Sequence, residues 1–175
     1  KRAIDLVLMT GMALGAKINR LSKFDRKNYF YPDLPKGYQI SQYDLPFCYE
    51  GALKIESDEI EITRIHLEED TGKSIHKKDK DYSLIDFNRA GAPLLELVTE
   101  PTIKDAKQAK KFCQEFRQIL RYIGASNANM EKGEMRCEVN NSLQEKGKWQ
   151  YKDKKIKAIG DYSLNSKVEN KNLNS

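Results

Sequence analysis

A run of acidic residues beside a histidine, HLEEDTGKS at positions 66–74, has the residue types that metal and phosphate chemistry require. Its last three letters resemble the end of the nucleotide-binding P-loop, G-x-x-x-x-G-K-[ST]. Leu67 stands where that loop needs its first glycine, and the three acids at 68–70 would repel a bare phosphate. We therefore do not interpret this run as a P-loop.

A metal ion suits the same acids better, because Mg²⁺ takes one or two protein carboxylates together with waters and phosphate oxygens. In the predicted strand ITRIHLEED, the period of two places His66 and Glu68 on one face, with Leu67 and Glu69 on the other. Only one of the two glutamates can then face a cleft. The alternative is a solvated strand end whose acids pair with nearby basic residues; it is the more common situation and stays open at this point.

Basic residues supply the second set of candidates. Arg89 and Arg136 lie beside predicted turns and strands, where a guanidinium could form bidentate contacts with phosphate or carboxylate. Structural pairing with the neighbouring Asp86 or Glu138 is the other possibility. The lysines of the long predicted helix, and those at 146–157, could follow an RNA backbone or belong to an ordinary solvated surface.

The composition is that of a soluble globular protein with one core. The 175 residues are 39% hydrophobic and 33% charged, with a net charge of +5. No apolar run approaches the roughly 20 residues that a bilayer requires. The three cysteines are far apart and form no C-x-x-C pair, which predicts neither a zinc site nor a disulfide framework and favours a reducing cytoplasm. Asp5 interrupts the first apolar stretch, so a signal peptide is not expected.

The hydrophobic periodicity predicts the elements that must position these residues, and the sum is an α+β fold with an antiparallel sheet. The predicted elements are an amphipathic helix at 3–19, a proline-constrained aromatic loop at 23–47, a strand pair at 52–76 with its turn at 57–59, two antiparallel strands (YSLIDF and APLLELV) around a turn at 88–91, a long helix at 102–124 and a strand at 130–143.

Four blocks carry a resemblance to a known family: RKNYFYPDLPKGYQISQ (26–42), HLEEDTGK (66–73), IDFNRAGAPLLEL (85–97) and MEKGEMRCEVN (130–140). In this order they closely resemble the catalytic domain of GatB, the B subunit of the tRNA-dependent amidotransferase, and its archaeal relative GatE. The likeness covers nearly all of the chain apart from the stretch around 144–166.

The resemblance implies a glutamine synthetase-like catalytic domain, with an antiparallel sheet and packed helices. It implies ATP- and Mg²⁺-dependent amidation of misacylated Glu-tRNA(Gln) or Asp-tRNA(Asn) through an acyl phosphate. It also implies partners, namely an amidase subunit, GatA, that makes ammonia from glutamine, a small subunit, GatC, and the tRNA itself. We expect a cytoplasmic protein without a membrane anchor. The sequence does not distinguish the glutamate from the aspartate substrate.

Matching residue by residue, the resemblance gives Lys27, Lys36 and Glu69 as catalytic residues and Glu69 as the best metal ligand, with Glu68 beside it. The residues matched less closely to nucleotide or acceptor-end binding are Tyr29, Asn88, Arg89 and Arg136.

Departures from the family pattern accompany the likeness. The family's first strand, with a G-L-E-V-H motif, would lie upstream of Lys1, and helical and tail domains would follow the last residue. We therefore expect residues 1–175 to form a single incomplete catalytic domain that is inactive alone. Glu138, Asn141 and Asn170 replace residues that are usual in the family. The competing hypothesis is a basic tRNA-binding module without catalytic activity, whose acids are only structural.

Overall fold

The computed structural model describes residues 1–145 and 162–172, and within these it describes the backbone alone at 141–145 and 162–172. The elements in chain order are α1 (Arg2–Ala13), β1 (Lys17–Ile18), β2 (Asp25–Asn28), β3 (Tyr38–Ser41), β4 (Cys48–Ile55), β5 (Asp58–Glu69), β6 (Lys73–His76), β7 (Ser83–Asp86), β8 (Pro93–Thr99), α2 (Ala106–Tyr122), β9 (Met135–Glu145) and β10 (Tyr162–Asn172). The expected α+β class is confirmed.

A six-stranded antiparallel sheet runs in the order β1-β4-β5-β8-β10-β9. Two separate two-stranded sheets, β2-β3 and β6-β7, accompany it. The hairpin β4-β5 is the predicted strand pair, although its turn comes at Glu56, which has a φ of 55°. Strand β5 thus lies inside the main sheet between β4 and β8.

The two helices pack against the sheet and close the core. In α2 the apolar residues recur at three and four, and Phe112, Phe116 and Leu120 are fully buried. Burying one such side chain stabilises the fold by about 1.5–3 kcal/mol. The carboxylate of Asp105 caps the helix by accepting from the backbone N–H of Gln108 at 2.7 Å. The predicted long helix is therefore present.

Strand β5 changes its burial pattern at a register irregularity between Ile62 and Arg64. Beyond it the residues 65–68 are all buried, because β3 packs against this part of β5 on one face while the core covers the other. The polar side chains of His66 and Glu68 are consequently enclosed within the protein. This placement makes the end of β5 unlike a solvated strand end.

Helix α1 is shorter than predicted. It ends at Ala13, and Gly15 follows with a φ of 63°, a conformation that glycine adopts readily and that stops a helix. Residues 17–18 are then a short strand against β4. The helical spacing of Leu14 had suggested a continuing helix, but Leu14 reaches the core from the turn instead.

Two further expectations are wrong. The strands on either side of the turn at 88–91 exist, but they do not pair with each other: β7 pairs with β6 and β8 pairs with β5. Cys113 and Cys137 form a disulfide that joins α2 to β9, because the fold brings together residues 24 positions apart. Cys48 is free and buried. Within the described ranges, neither helix has the length and apolarity to cross a membrane.

Candidate metal and phosphate site

Three buried polar residues meet on one face of the sheet where β5 pairs with β8. His66 and Glu68 share a face of β5, and the antiparallel register sets Glu96 of β8 opposite His66. The Nε2 atom of His66 lies 3.1 Å from Oε2 of Glu96 and 3.7 Å from Oε2 of Glu68. Ligand atoms of all three lie within 4.8 Å of one another, close enough to bind one metal ion.

Not every polar atom of this group is satisfied. Within the described residues, Oε1 of Glu68 and Nδ1 of His66 are buried and have no hydrogen-bond partner. A buried carboxylate oxygen without a partner costs free energy, and a bound cation would remove that cost. Burial lowers the pKa of His66, but the neighbouring carboxylates of Glu68 and Glu96 outweigh burial and raise that pKa above its ordinary value. The donor set of one imidazole and two carboxylates fits a divalent cation.

The hairpin β2-β3 covers the group. The hydroxyl of Ser41 donates to Oε2 of Glu68 at 3.0 Å, and the Nζ atom of Lys27 lies 3.8 Å from the same oxygen. Lys27 pairs with Gln39 in the hairpin register. Gln39 donates to the backbone oxygen of Glu69 and so fastens the hairpin to β5.

Tyr29 positions the side chain of Gln39, since its hydroxyl donates to Oε1 of Gln39 at 3.0 Å. Burial, together with the charges of Asp33, Glu68 and Asp70, raises the pKa of Tyr29. The phenol therefore stays protonated and remains a donor across the neutral pH range.

Glu69 lies on the other side of β5 from His66. Its Oε2 atom accepts from Lys36 Nζ at 2.5 Å and from the backbone N–H of Ile40 at 3.0 Å. Lys36 also lies over the ring of Tyr38. The expected role of Glu69 as a metal ligand is not supported by this placement, because neighbouring residues of a strand point to opposite faces. Glu68 is the glutamate that accompanies His66.

Both candidate arginines contact Asp70, the residue directly after β5. Nη2 of Arg136 lies 2.8 Å from Oδ1 of Asp70, and Nη2 of Arg89 lies 3.1 Å from Oδ2. Arg89 also donates to the backbone oxygen of Gly133 at 2.7 Å. Asp86, the neighbour expected to pair with Arg89, accepts instead from Asn88. The arginines thus pair with an acid distant in sequence.

An open cavity of about 570 Å³, a size typical of small-molecule sites, adjoins part of this region. Lys27, Tyr29, Glu68, Asp70 and Arg136 line it. Four other sequence candidates, Lys36, Glu69, Asn88 and Arg89, are outside the lining, and so are His66 and Glu96. The cavity lining therefore combines two cations, Lys27 and Arg136, with the carboxylates of Asp33, Glu68 and Asp70.

The sequence pattern did not identify Ser41 or Glu96 as part of this region, and it did not assign Asp70 its role beside the arginines. Glu96 carried a usable signal, since it is a single acid within the otherwise apolar strand LLELV, where a solvated surface is not expected. Asp70 was counted as part of an acidic run, and its arginine partners could not be assigned without the fold.

An antiparallel sheet that packs against two helices and encloses an imidazole and two carboxylates on one face defines a domain of the α+β class. The chain belongs to the GatB/GatE catalytic domain family, whose family model matches residues 1–175. The resemblance found in the sequence is thereby confirmed.

Curated relatives agree with this assignment. The B subunit of the aspartyl/glutamyl-tRNA(Asn/Gln) amidotransferase of Thermomicrobium roseum is 49% identical over 169 residues, covering 93% of this chain and 35% of the relative. The protein of the same name from Symbiobacterium thermophilum is 52% identical over 159 residues, covering 86% and 32%. That from Ruminiclostridium cellulolyticum is 47% identical over 179 residues, covering 100% and 34%. The chain spans about a third of the length of these relatives.

Proposed function

We propose that this chain is the catalytic part of a GatB-type amidotransferase subunit, which phosphorylates the side-chain carboxylate of Glu-tRNA(Gln) or Asp-tRNA(Asn) with ATP and then replaces the phosphate with ammonia. The observation that carries the proposal is the enclosed group of His66, Glu68 and Glu96, whose unpaired oxygen on Glu68 adjoins a cavity with Lys27 and Arg136 on its wall. The names of the curated relatives supply the substrate class.

A magnesium ion would be held by Glu68 and Glu96, with His66 as a further ligand or as a hydrogen-bond partner of the two acids. When bound, it would neutralise charge on the phosphate oxygens of ATP. Ser41 keeps the Glu68 carboxylate in position by donating to its Oε2 atom. The buried setting excludes most water, which strengthens the attraction between the acids and a cation.

Lys27 and Arg136 serve the phosphoryl group in this proposal. A carboxylate is a poor acceptor for ammonia until its oxygen is phosphorylated, because the C–O bond must break with a stable leaving group. Lys27 and Arg136 are the cations of the cavity lining, and a transferring phosphoryl group requires such positive charge beside it. Ammonia then forms the C–N bond while inorganic phosphate departs with the electrons of the C–O bond.

The proposal includes partners and a location. The relatives are named as one subunit of an amidotransferase, which indicates a complex with further subunits. We assign the ammonia supply to an amidase subunit of the GatA type, with a small GatC-type subunit, and the location to the cytoplasm, where tRNA is charged. Lys36 and Glu69, which pair with each other away from His66, stay candidates for the side of the reaction that receives ammonia.

The neighbouring glutamates of β5 offer a matched test in the full-length subunit within its complex. Glu68→Gln is expected to lower Glu-tRNA-stimulated ATP hydrolysis and Gln-tRNA formation by at least about a hundredfold, because a ligand of the cation is lost. Glu69→Gln is expected to bind Mn²⁺ as tightly as the unmodified subunit does, and calorimetry measures this affinity. Near-normal turnover of Glu68→Gln would contradict the proposal.

The tRNA-binding hypothesis predicts something different, namely salt-dependent affinity that ignores both the attached amino acid and Mg²⁺. Two lysines near or on α2 are already paired, Lys104 with Asp58 and Lys111 with Glu115, as expected of an ordinary solvated surface. The lysines at 146–157 lie outside the described residues. Comparing the binding of Glu-tRNA and uncharged tRNA, with and without Mg²⁺, separates the two functions.

A further inference from the structure

We infer that Asp70 is a positioning residue that fixes the guanidinium of Arg136 on the cavity wall. Arg89 braces Asp70 by contacting the other oxygen of its carboxylate. The inference rests on the proposed function, because the anion that Arg136 would meet is a phosphate group of ATP. Each carboxylate oxygen of Asp70 contacts a different arginine, Oδ1 contacting Arg136 at 2.8 Å and Oδ2 contacting Arg89 at 3.1 Å. One acid therefore sets the position of two cations.

Asp70 is itself held firmly. Its side chain is buried, with 4% exposed, and Oδ1 also accepts from the backbone N–H of Thr71 at 3.0 Å. Its backbone N–H donates to the oxygen of Ala92 at 2.7 Å, and its backbone oxygen accepts from Gly91 at 2.9 Å. A carboxylate anchored at both backbone atoms loses little further freedom when it binds an arginine, so it is a rigid reference point.

The two arginines differ in what they leave available. Arg136 lines the cavity, and its described hydrogen bond goes to Asp70. A guanidinium has five N–H donors in a planar fork, so most of those of Arg136 remain for an anion in the cavity. Arg89 lies outside the cavity lining and donates to both Asp70 and Gly133. The structure thus supports a contact role for Arg136 and a bracing role for Arg89.

Charge explains why an acid is needed between them. Two guanidiniums held close together repel each other, and one carboxylate between them offsets that repulsion. Fixing Arg136 before ATP arrives also reduces the entropy lost on binding. Asp70 consequently strengthens ATP binding through its effect on the position of Arg136.

The test is a double-mutant cycle in the full-length subunit within its complex, with ATP affinity measured by calorimetry and kcat and KM measured separately. Arg136→Gln is expected to weaken ATP binding about a hundredfold and Asp70→Asn about tenfold. The double variant should bind ATP no more weakly than Arg136→Gln alone, because Asp70 acts through that side chain. Additive losses would overturn the inference.

Asp58→Asn is the matched control, since Asp58 also accepts from two side chains, Lys104 and Gln108, but lies outside the cavity lining. It should leave ATP affinity unchanged; an equal loss in this variant would contradict a specific role for Asp70. If Asp70→Asn does not fold, Arg136→Lys tests the inference instead, because it keeps the positive charge and removes the planar guanidinium that Asp70 positions. It should lose about tenfold in ATP affinity at an unchanged melting temperature, and unchanged affinity would overturn the inference.

The proposed function and the role of Asp70 can be contradicted by different results. A complex that binds ATP without forming Gln-tRNA or Asn-tRNA would defeat the proposed function, while the cycle of ATP affinities would still decide the role of Asp70. A complex that binds no ATP would defeat both.

Discussion

The Oε2 atom of Glu96 lies 3.1 Å from Nε2 of His66, directly across the pairing of β8 with β5. Side chains at directly opposed positions of an antiparallel pair lie close together, so this contact follows from the strand register. It gives the buried group a carboxylate from a second strand, and a group shared by two strands is more rigid than one on a single loop. Glu96 is therefore as informative a position for mutation as Glu68.

Glu96→Gln should reduce Mn²⁺ affinity at least about tenfold, because a neutral amide replaces one of two negative ligands. Calorimetric titration of the full-length complex with Mn²⁺ measures this. Glu59→Gln is the matched control, since Glu59 is an exposed residue of β5, far along the strand from His66. Equal affinities of Glu96→Gln and the control would show that no metal ion binds through Glu96.

Short-range pattern was enough to predict the half of this site that lies on β5. The period of two placed His66 with Glu68 and opposite Glu69, and the structure has that arrangement. The other half depends on long-range register. Glu96 reaches His66 only through the pairing of β5 with β8, and the sequence pattern had suggested a different partner for β8.

The arginines illustrate the same limit. Neighbours in sequence were the obvious partners for Arg89 and Arg136, but each contacts Asp70 instead, and for Arg136 the separation is 66 residues. Such a contact arises because the end of β5, the turn before β8 and the start of β9 meet at one point. No local periodicity encodes that meeting. The resemblance to the family identified the arginines but not the acid that holds them.

Ser41→Ala should weaken cation binding at the proposed metal site without disrupting the fold. The hydroxyl of Ser41 donates to Oε2 of Glu68 at 3.0 Å, and its loss should lower the free energy of unfolding by about 1 kcal/mol. A lost partner of a ligand typically reduces metal affinity by about 10- to 100-fold. Urea unfolding and Mn²⁺ titration measure the two effects. Ser22→Ala, which removes only a long contact of 3.4 Å to Pro46, should change neither; a similar change in both variants would argue against a specific role for Ser41.

The cysteines should differ in reactivity. Burial raises the pKa of the Cys48 thiol to about 11, so almost no thiolate is present at pH 8. Cys48 should therefore resist iodoacetamide in the folded protein and react once urea exposes it. Cys113 and Cys137 should be alkylated only after unfolding and reduction, because they are joined to each other. Peptide mass spectrometry of the purified protein distinguishes the three, and rapid labelling of Cys48 at pH 8 would contradict its burial.

Gly133→Ala tests the bracing role of Arg89 from the backbone side. Gly133 has a φ of 68°, and a Cβ added there would lie 3.1 Å from Nη1 of Arg89. Gly124 has the same φ of 68° but nothing within 4 Å of the corresponding position. Both alanine variants should lose about 1–2 kcal/mol of stability, because both place a side chain in the left-handed region. Thermal or urea unfolding measures that shared cost.

Only Gly133→Ala should also weaken ATP binding, because its methyl group displaces Arg89 from the contact with Gly133 oxygen and thereby disturbs Asp70. The expected loss is severalfold, smaller than that of Asp70→Asn, since Arg89 can shift and still reach the carboxylate. Calorimetric ATP titration of the two glycine variants isolates this effect from the backbone strain that they share. If both variants bind ATP as tightly as the unmodified protein, Arg89 does not brace Asp70. If both variants lose the same affinity, backbone strain alone explains the loss.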